Sequence, residues 1–351
     1  MDTNELSKKI EETILAIAKE PKEIRHYHDL ANLYGMDSRF DSMITTYEGL
    51  LDVNPKDVLA LINIGSLWFY KKDYRKAFSY YKKAEEFDPL NYAIFFNMGN
   101  VYAELKEFSK SLYYYNRALE LKSPVEEIYN SIGRLFSDFK NYVEAENYYK
   151  KALSVDKNNL GAIAGLGNTY LSINNYDDAL AYYKKVDEFL PNDQHVLNCI
   201  ANALTSMKRK EEAYEYFEKA LNGESENGPY RVYVSYAIAR CEFGEIDKAI
   251  ELYNKAIEID PEQDKAYVLL GNLYTDLNRI EEAKEQYKKV LKTNYGDALA
   301  HVSLGNAYYL ENDLEKALVS YRDAIKMEPD NDEYKLVYIN ALDEYVDRKE
   351  N

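Results

Sequence analysis

A small residue recurs at a fixed step along nearly the whole chain. Gly65, Gly99, Gly133 and Gly167 stand 34 positions apart, Ala201 holds the next slot, Ala237 follows 36 later, and Gly271 and Gly305 resume the step of 34. A second small residue comes twelve positions after each of these: Ala77, Ser111, Ala145, Ala179, Ala213, Ala249, Ala283 and Ala317. A period of this size means that one supersecondary unit is copied and stacked, each copy covering the face its neighbour leaves open. The repeat overrides the prior of about two globular domains that the chain's length would set.

The stretch 58–91 shows what one copy is. Apolar residues at Leu61, Ile64 and Trp68, then at Ala77, Tyr81 and Ala84, fall at spacings of three and four, which is helical periodicity twice over. Lys71-Lys72-Asp73 breaks the pattern between them, so the unit reads as two antiparallel helices, A and B, joined by a tight turn. At its end stands Asp88-Pro89, where proline stops one helix and can open the next. All eight prolines (Pro21, Pro55, Pro89, Pro124, Pro191, Pro229, Pro261 and Pro329) lie at such junctions. Glycine on helix A and alanine on helix B are expected to let the two backbones cross closely.

These residues resemble the tetratricopeptide repeat, whose pattern is W/L/Y–LG–Y–A–F/Y–A–P over 34 positions. Leu61, Ile64-Gly65, Trp68, Ala77, Tyr81, Ala84 and Pro89 match it position for position. Phe95, Met98-Gly99, Tyr102, Ser111, Tyr115 and Ala118 match nearly as well, as do His301, Leu304-Gly305, Tyr308, Ala317, Tyr321, Ala324 and Pro329. The resemblance implies an all-α superhelical solenoid of stacked antiparallel helix pairs. The expected organisation is an N-terminal capping helix over 1–23, nine repeats over 24–331 and a C-terminal capping helix over 332–351. In the closing helix Ile339 takes the small-residue slot, where no following helix crowds it.

The span 194–240 is irregular. Ala201 and Ala237 replace glycine, Arg240 replaces an aromatic, and two extra residues enter the stretch 222–229. Gly223 is placed to close a helix in the left-handed conformation and Pro229 to open the next. The stretch reads as a tolerated loop insertion or, alternatively, as a hinge.

Composition bounds the chemistry. At 46% hydrophobic the chain has ample core, and a formal net charge of -17 argues against a nucleic-acid surface, which needs clustered Lys and Arg. The only apolar run near the start, Ile14 to Ala18, is too short for a membrane span or signal core. Cys199 and Cys241 have no paired spacing, so disulfide and zinc readings fail and a reducing, cytoplasmic setting fits. Four scattered histidines give no metal site, no phosphate-binding loop occurs, and the run Gly161–Gly167 lies inside a helix A. No enzyme, metal or cofactor is expected.

The informative surface is the concave one, which in tetratricopeptide arrays is lined by helix A. The slot after the small residue carries Asn32, Asn100, Asn168, Asn202, Asn272 and Asn306, with Ser66, Arg134 and Ile238 in the others. Such a ladder offers a donor and an acceptor from each side chain, which suits an extended peptide backbone. Neighbouring positions give an apolar and aromatic patch at Leu59, Ile62, Phe69, Tyr70 and Phe96, flanked by Asn63 and Asn97. Asn130 and Asn198 make the middle polar, and Arg231 and Lys265 bring charge further on. The lysine with which some tetratricopeptide domains clamp chaperone tails is missing, since His28, Ile62, Phe96, Asn130 and Ala164 hold its slot. The expectation is a non-catalytic adaptor that holds an extended peptide or helix of a protein partner. The alternatives are an assembly factor acting through its convex face or self-association, and a regulatory arm for an enzyme on a separate chain, such as a glycosyltransferase. The partner's identity and the oligomeric state are not fixed by these residues.

Overall fold

The computed structural model describes residues 3–121, 124–223, 229–293 and 297–350. Among them the chain forms helices and turns alone. In order these are α1 Thr3–Lys19, α2 Ile24–Met36, α3 Phe40–Val53, α4 Val58–Tyr70, α5 Tyr74–Phe87, α6 Tyr92–Glu104, α7 Phe108–Leu119, α8 Val125–Asp138, α9 Tyr142–Val155 and α10 Leu160–Ser172. They continue as α11 Tyr176–Phe189, α12 Gln194–Ser206, α13 Lys210–Leu221, α14 Tyr230–Glu242, α15 Ile246–Ile259, α16 Asp264–Asp276, α17 Ile280–Thr293, α18 Ala298–Leu310, α19 Leu314–Met327 and α20 Asp332–Glu350. Even-numbered helices are the A helices of the repeats and odd-numbered ones the B helices. The chain divides into two compact units, residues 1–175 and 176–351.

In the first unit α2 pairs with α3, α4 with α5, α6 with α7 and α8 with α9; in the second, α12 with α13 and so on to α18 with α19. Several A helices also approach the next A helix, α4 with α6, α6 with α8 and α8 with α10 in one unit, α12 with α14 and α16 with α18 in the other. These A helices therefore stand side by side within each unit, as expected of a helix-pair solenoid.

The crossing inside a repeat differs in detail from the expectation. A Cβ on Gly65 would come within 2.5 Å of the Tyr81 ring, so the glycine's tightest neighbour is the aromatic sixteen positions on, not the alanine twelve on. The same clash, at 2.5–2.8 Å, sets Gly99 against Tyr115, Gly133 against Tyr149, Gly271 against Tyr287 and Gly305 against Tyr321. The small residue on helix B stands beside this contact: Ser111 Oγ donates to the Gly99 carbonyl at 2.9 Å. In these five repeats the missing Cβ lets the ring come close to the backbone of helix A, whereas Ala31, Ala201 and Ala237 hold the slot before Tyr47, Phe217 and Tyr253.

The second tyrosine of the repeated pairs is also structural. Tyr114 stacks on Tyr102 at 5.5 Å, and Tyr148 on Phe136 at 5.5 Å, each joining helix B to the aromatic of a helix A. Such pairs contribute about 0.5–1.5 kcal/mol beyond their buried area. Where Arg240 replaces the aromatic, its guanidinium lies 3.7 Å from the Tyr214 ring centre, bonds Tyr236 and pairs with Glu245. A cation over a ring thus does the work of an aromatic pair in the irregular repeat.

Each A helix from α2 to α18 passes to its B helix through one turn. Residues 38, 72, 106, 140, 174, 208, 244, 278 and 312 have φ between 54 and 76°. At 72 the Lys72 amide donates to Phe69 O and the Asp73 amide to Trp68 O, both at 2.9 Å, which is the Schellman closure of a helix. Asp73 then caps α5 by accepting from Lys76 N. Glycine suits this left-handed position, yet only Gly244 supplies it; Lys72, Lys106, Lys140 and Lys208 hold it without glycine's freedom.

Gly223 does not take the left-handed role. Among described glycines only Gly244 has positive φ, and a Cβ on Gly223 would meet the Asn192 carbonyl at 3.1 Å, so the position is kept small by close approach of a neighbouring turn. Pro229 forms the cap of α14. The core of the proposed insertion, 224–228, lies outside the described residues.

Candidate interaction faces

In the first unit Leu59 is 55% and Tyr70 68% exposed, large values for apolar and aromatic side chains on a folded helix. Their neighbours are partly committed: Tyr70 leans on Phe40 at 4.9 Å, Phe69 on Tyr74 at 5.6 Å and Phe96 on Tyr115 at 5.9 Å. Ile62, Phe69, Phe96 and Asn97 are half-buried.

The asparagine ladder is present but half spent. Tyr115, Tyr287 and Tyr321 donate their hydroxyls at 2.7 Å to the side-chain oxygens of Asn100, Asn272 and Asn306. Asn63 donates to the Tyr47 hydroxyl at 2.9 Å. A buried phenol needs a partner, so the ladder first satisfies the tyrosines that lock the repeats. Each of Asn100, Asn272 and Asn306 thus spends its oxygen on a tyrosine, whereas the sequence alone offers donor and acceptor alike. Asn32 and Asn168 are exposed and Asn202 is half-buried. The Asn130 amide lies where a Cβ on Gly161 would meet it at 2.6 Å, which accounts for glycine there. Arg134 is exposed and its charge acts on the Tyr115 phenol, which burial pushes up to about 12.

In the second unit a cleft of about 650 Å³ brings together three residues that the sequence nominated separately, Asn198, Arg231 and Lys265. His195, Tyr230, Val234 and Ser235 complete its helical walls, and Asp260 and Gln263 enter from the turn before α16. Tyr230 fixes this corner: its hydroxyl accepts from the Ala266 amide at 3.0 Å and donates to the Gln263 carbonyl at 3.4 Å. Sequence reasoning missed the flanking residues. One signal was available, because His195, Arg231 and Lys265 are a column of basic residues spaced 36 and 34 apart.

Other candidates are quiet. Burial pushes the Cys199 thiol up to about 11, and raises that of Cys241, so neither is a ready nucleophile. His301 is buried, and His28 lies 3.5 Å from Asp57. Among the described residues no three His, Cys, Asp or Glu side chains are grouped to hold a metal ion, and no helix is long and apolar enough to cross a membrane.

Sequence profiles described as the tetratricopeptide repeat match residues 59–89, 92–124, 138–203, 194–262, 241–305 and 298–331. The chain belongs to the tetratricopeptide repeat family. No curated protein sequence matches it. Yeast Tom70 is similar in structure, with a TM-score of 0.62 at 15% identity, over 99% of this chain and 93% of that one. Cut9–Hcn1, crystallised as an APC/C hetero-tetramer, gives 0.51 at 15% identity over 86% of this chain, which spans only 59% of that longer one. A tetratricopeptide repeat protein from Parabacteroides merdae gives 0.50 at 18% identity, over 81% and 98% of the two chains. These likenesses are likenesses of fold. Tetratricopeptide arrays are a protein-interaction scaffold, and the family assignment supports that class of role here.

Proposed function

We propose that the chain is a non-catalytic adaptor that holds an extended segment of a protein partner along the exposed faces of its A helices. The observation that carries this reading is the pair Leu59 and Tyr70, large apolar and aromatic side chains left more than half exposed on α4. Aromatic anchors of this kind dominate the affinity of many interfaces. The amide groups of Asn100, Asn272 and Asn306, whose oxygens are taken by tyrosines, add donors suited to peptide carbonyls, each contributing about 0.5–1.5 kcal/mol net.

The test is a photo-crosslinking amino acid at Tyr70, compared with one at Tyr113, which is exposed on helix B. Crosslinks to a partner from position 70 and none from 113 support the adaptor. The reverse pattern supports the assembly factor acting through its B-helix face and removes the adaptor reading.

A further inference from the structure

The cleft between α12, α14 and α16 gathers two cations in an acidic chain. Arg231 and Lys265 line it, are exposed, and among the described residues have no carboxylate within ion-pair distance. Lys208 and Arg209, in the turn after α12, are by contrast paired with Glu242 and Glu212. Both free cations sit in the first turn of an A helix, where the amide ends of α14 and α16 add positive potential. One carboxylate, Asp260, shares the cleft, and its side chain accepts from the Glu262 amide at 3.3 Å.

A second observation is independent of the charges. Asn198 borders the cleft with 8% of its surface exposed, and its side-chain oxygen is buried without a hydrogen-bond partner. The same slot in the next three repeats holds Val234, Val268 and Val302. Within the second unit the slot is otherwise apolar, and an incompletely bonded asparagine there works against folding. A polar group retained at such a cost beside two unpaired cations is what a binding site looks like before its ligand arrives.

We propose that this cleft is an acidic-residue subsite of the partner groove, in which Arg231 and Lys265 take carboxylates of Asp or Glu side chains and Asn198 and Ser235 supply hydrogen bonds. The proposal rests on the groove reading above and gives it a chemistry. Adjacent packed helices stand about 8–10 Å apart, a distance that one three-residue turn of a polyproline-II segment covers while keeping residues i and i+3 on one face. Acidic side chains spaced by three on such a segment thus match the step of one repeat from Arg231 to Lys265.

The probe is an N-acetylated, C-amidated peptide of four Asp-Ser-Ala triplets, which has no terminal carboxylate, with its Asn-Ser-Ala counterpart as control. Binding to the full chain is followed by fluorescence anisotropy at low and high salt. The acidic peptide is expected to bind about tenfold or more tightly than the control, to weaken with salt, and to lose that preference in the double variant Arg231→Glu, Lys265→Glu. Asn198→Val supplies a readout that a structural role would not give: a higher melting temperature together with weaker binding of the acidic peptide. Equal binding of the two peptides, no binding of either, or an acidic-peptide affinity unchanged by the charge reversal overturns the proposal. The groove reading fails separately, on the crosslinks from position 70, so the two failures cannot be confused.

Discussion

The ring of Tyr149 lies so close to the backbone of Gly165 that a single added methyl group would sit 2.5 Å from its Cε1 atom. Gly133 bounds the same ring from the other side at 2.8 Å. Gly165→Ala should therefore overpack the slot and cost about 1–3 kcal/mol. Gly49→Ala is the contrast, since its Cβ would meet only Tyr27 at an ordinary 3.6 Å. There the gain in helix propensity should stabilise by about 0.5–1 kcal/mol. Thermal melts of the two variants should move in opposite directions; a common direction would refute the packing described.

The lysines at left-handed turn positions leave stability unclaimed. Lys72→Gly, Lys106→Gly, Lys140→Gly and Lys208→Gly each remove a conformational penalty of about 1–2 kcal/mol and add glycine's chain-entropy cost of about 0.5–1 kcal/mol. The net expectation is a small rise in stability from each, additive because the turns are far apart. Chemical denaturation of the single variants and of the combined four would measure it.

Tyr321 and Asn306 should prove coupled. Asn306→Ala strips the partner from a buried phenol and should cost about 1–3 kcal/mol, while Tyr321→Phe removes the need for one. The double variant should lose less than the sum of the singles. Strict additivity in a double-mutant cycle would show that the hydrogen bond does no structural work.

Alkaline pH should unfold the chain in a narrow window. Burial raises the phenols of Tyr81, Tyr115, Tyr149 and Tyr321 from 10.0 to about 12, because the folded interior favours the neutral form. Below pH 10 that preference is silent. Between pH 10 and 12 the unfolded state releases protons that the folded state keeps, so stability falls as pH rises. Tyrosinate absorbance should lag at these residues and then rise together with the loss of helical circular dichroism. Smooth ionisation ahead of any unfolding would contradict the burial.

The sequence carried the repeat almost completely, because glycine, alanine and proline at fixed spacing report backbone approach and chain breaks directly. It did not carry which residue meets the glycine: Ala77 and Tyr81 both recur, and only the ring's position chooses between them. Lysine is no turn signal, so the left-handed conformation of Lys72 and its equivalents was invisible. The Asn100 slot was legible, but its bond to Tyr115 was not, since the direction of a hydroxyl leaves no mark in spacing. Asn198, Arg231 and Lys265 were nominated singly; that one cleft gathers them depends on the turn carrying Asp260 and Gln263, whose sequence resembles that of any other junction.

The place of Tyr149 between two glycines has a consequence for how such a chain can be divided. Each B-helix aromatic is completed by A helices on both sides: Tyr81 shares a core with Leu61 of α4 and Met98 of α6, and Tyr321 with Val302 of α18 and Ala341 of α20. A fragment cut at the proline junctions would carry a B helix with half its pocket missing. The portable module is then an A helix, a B helix and the A helix that follows, so a duplication that preserves packing must overlap its parent by half a repeat.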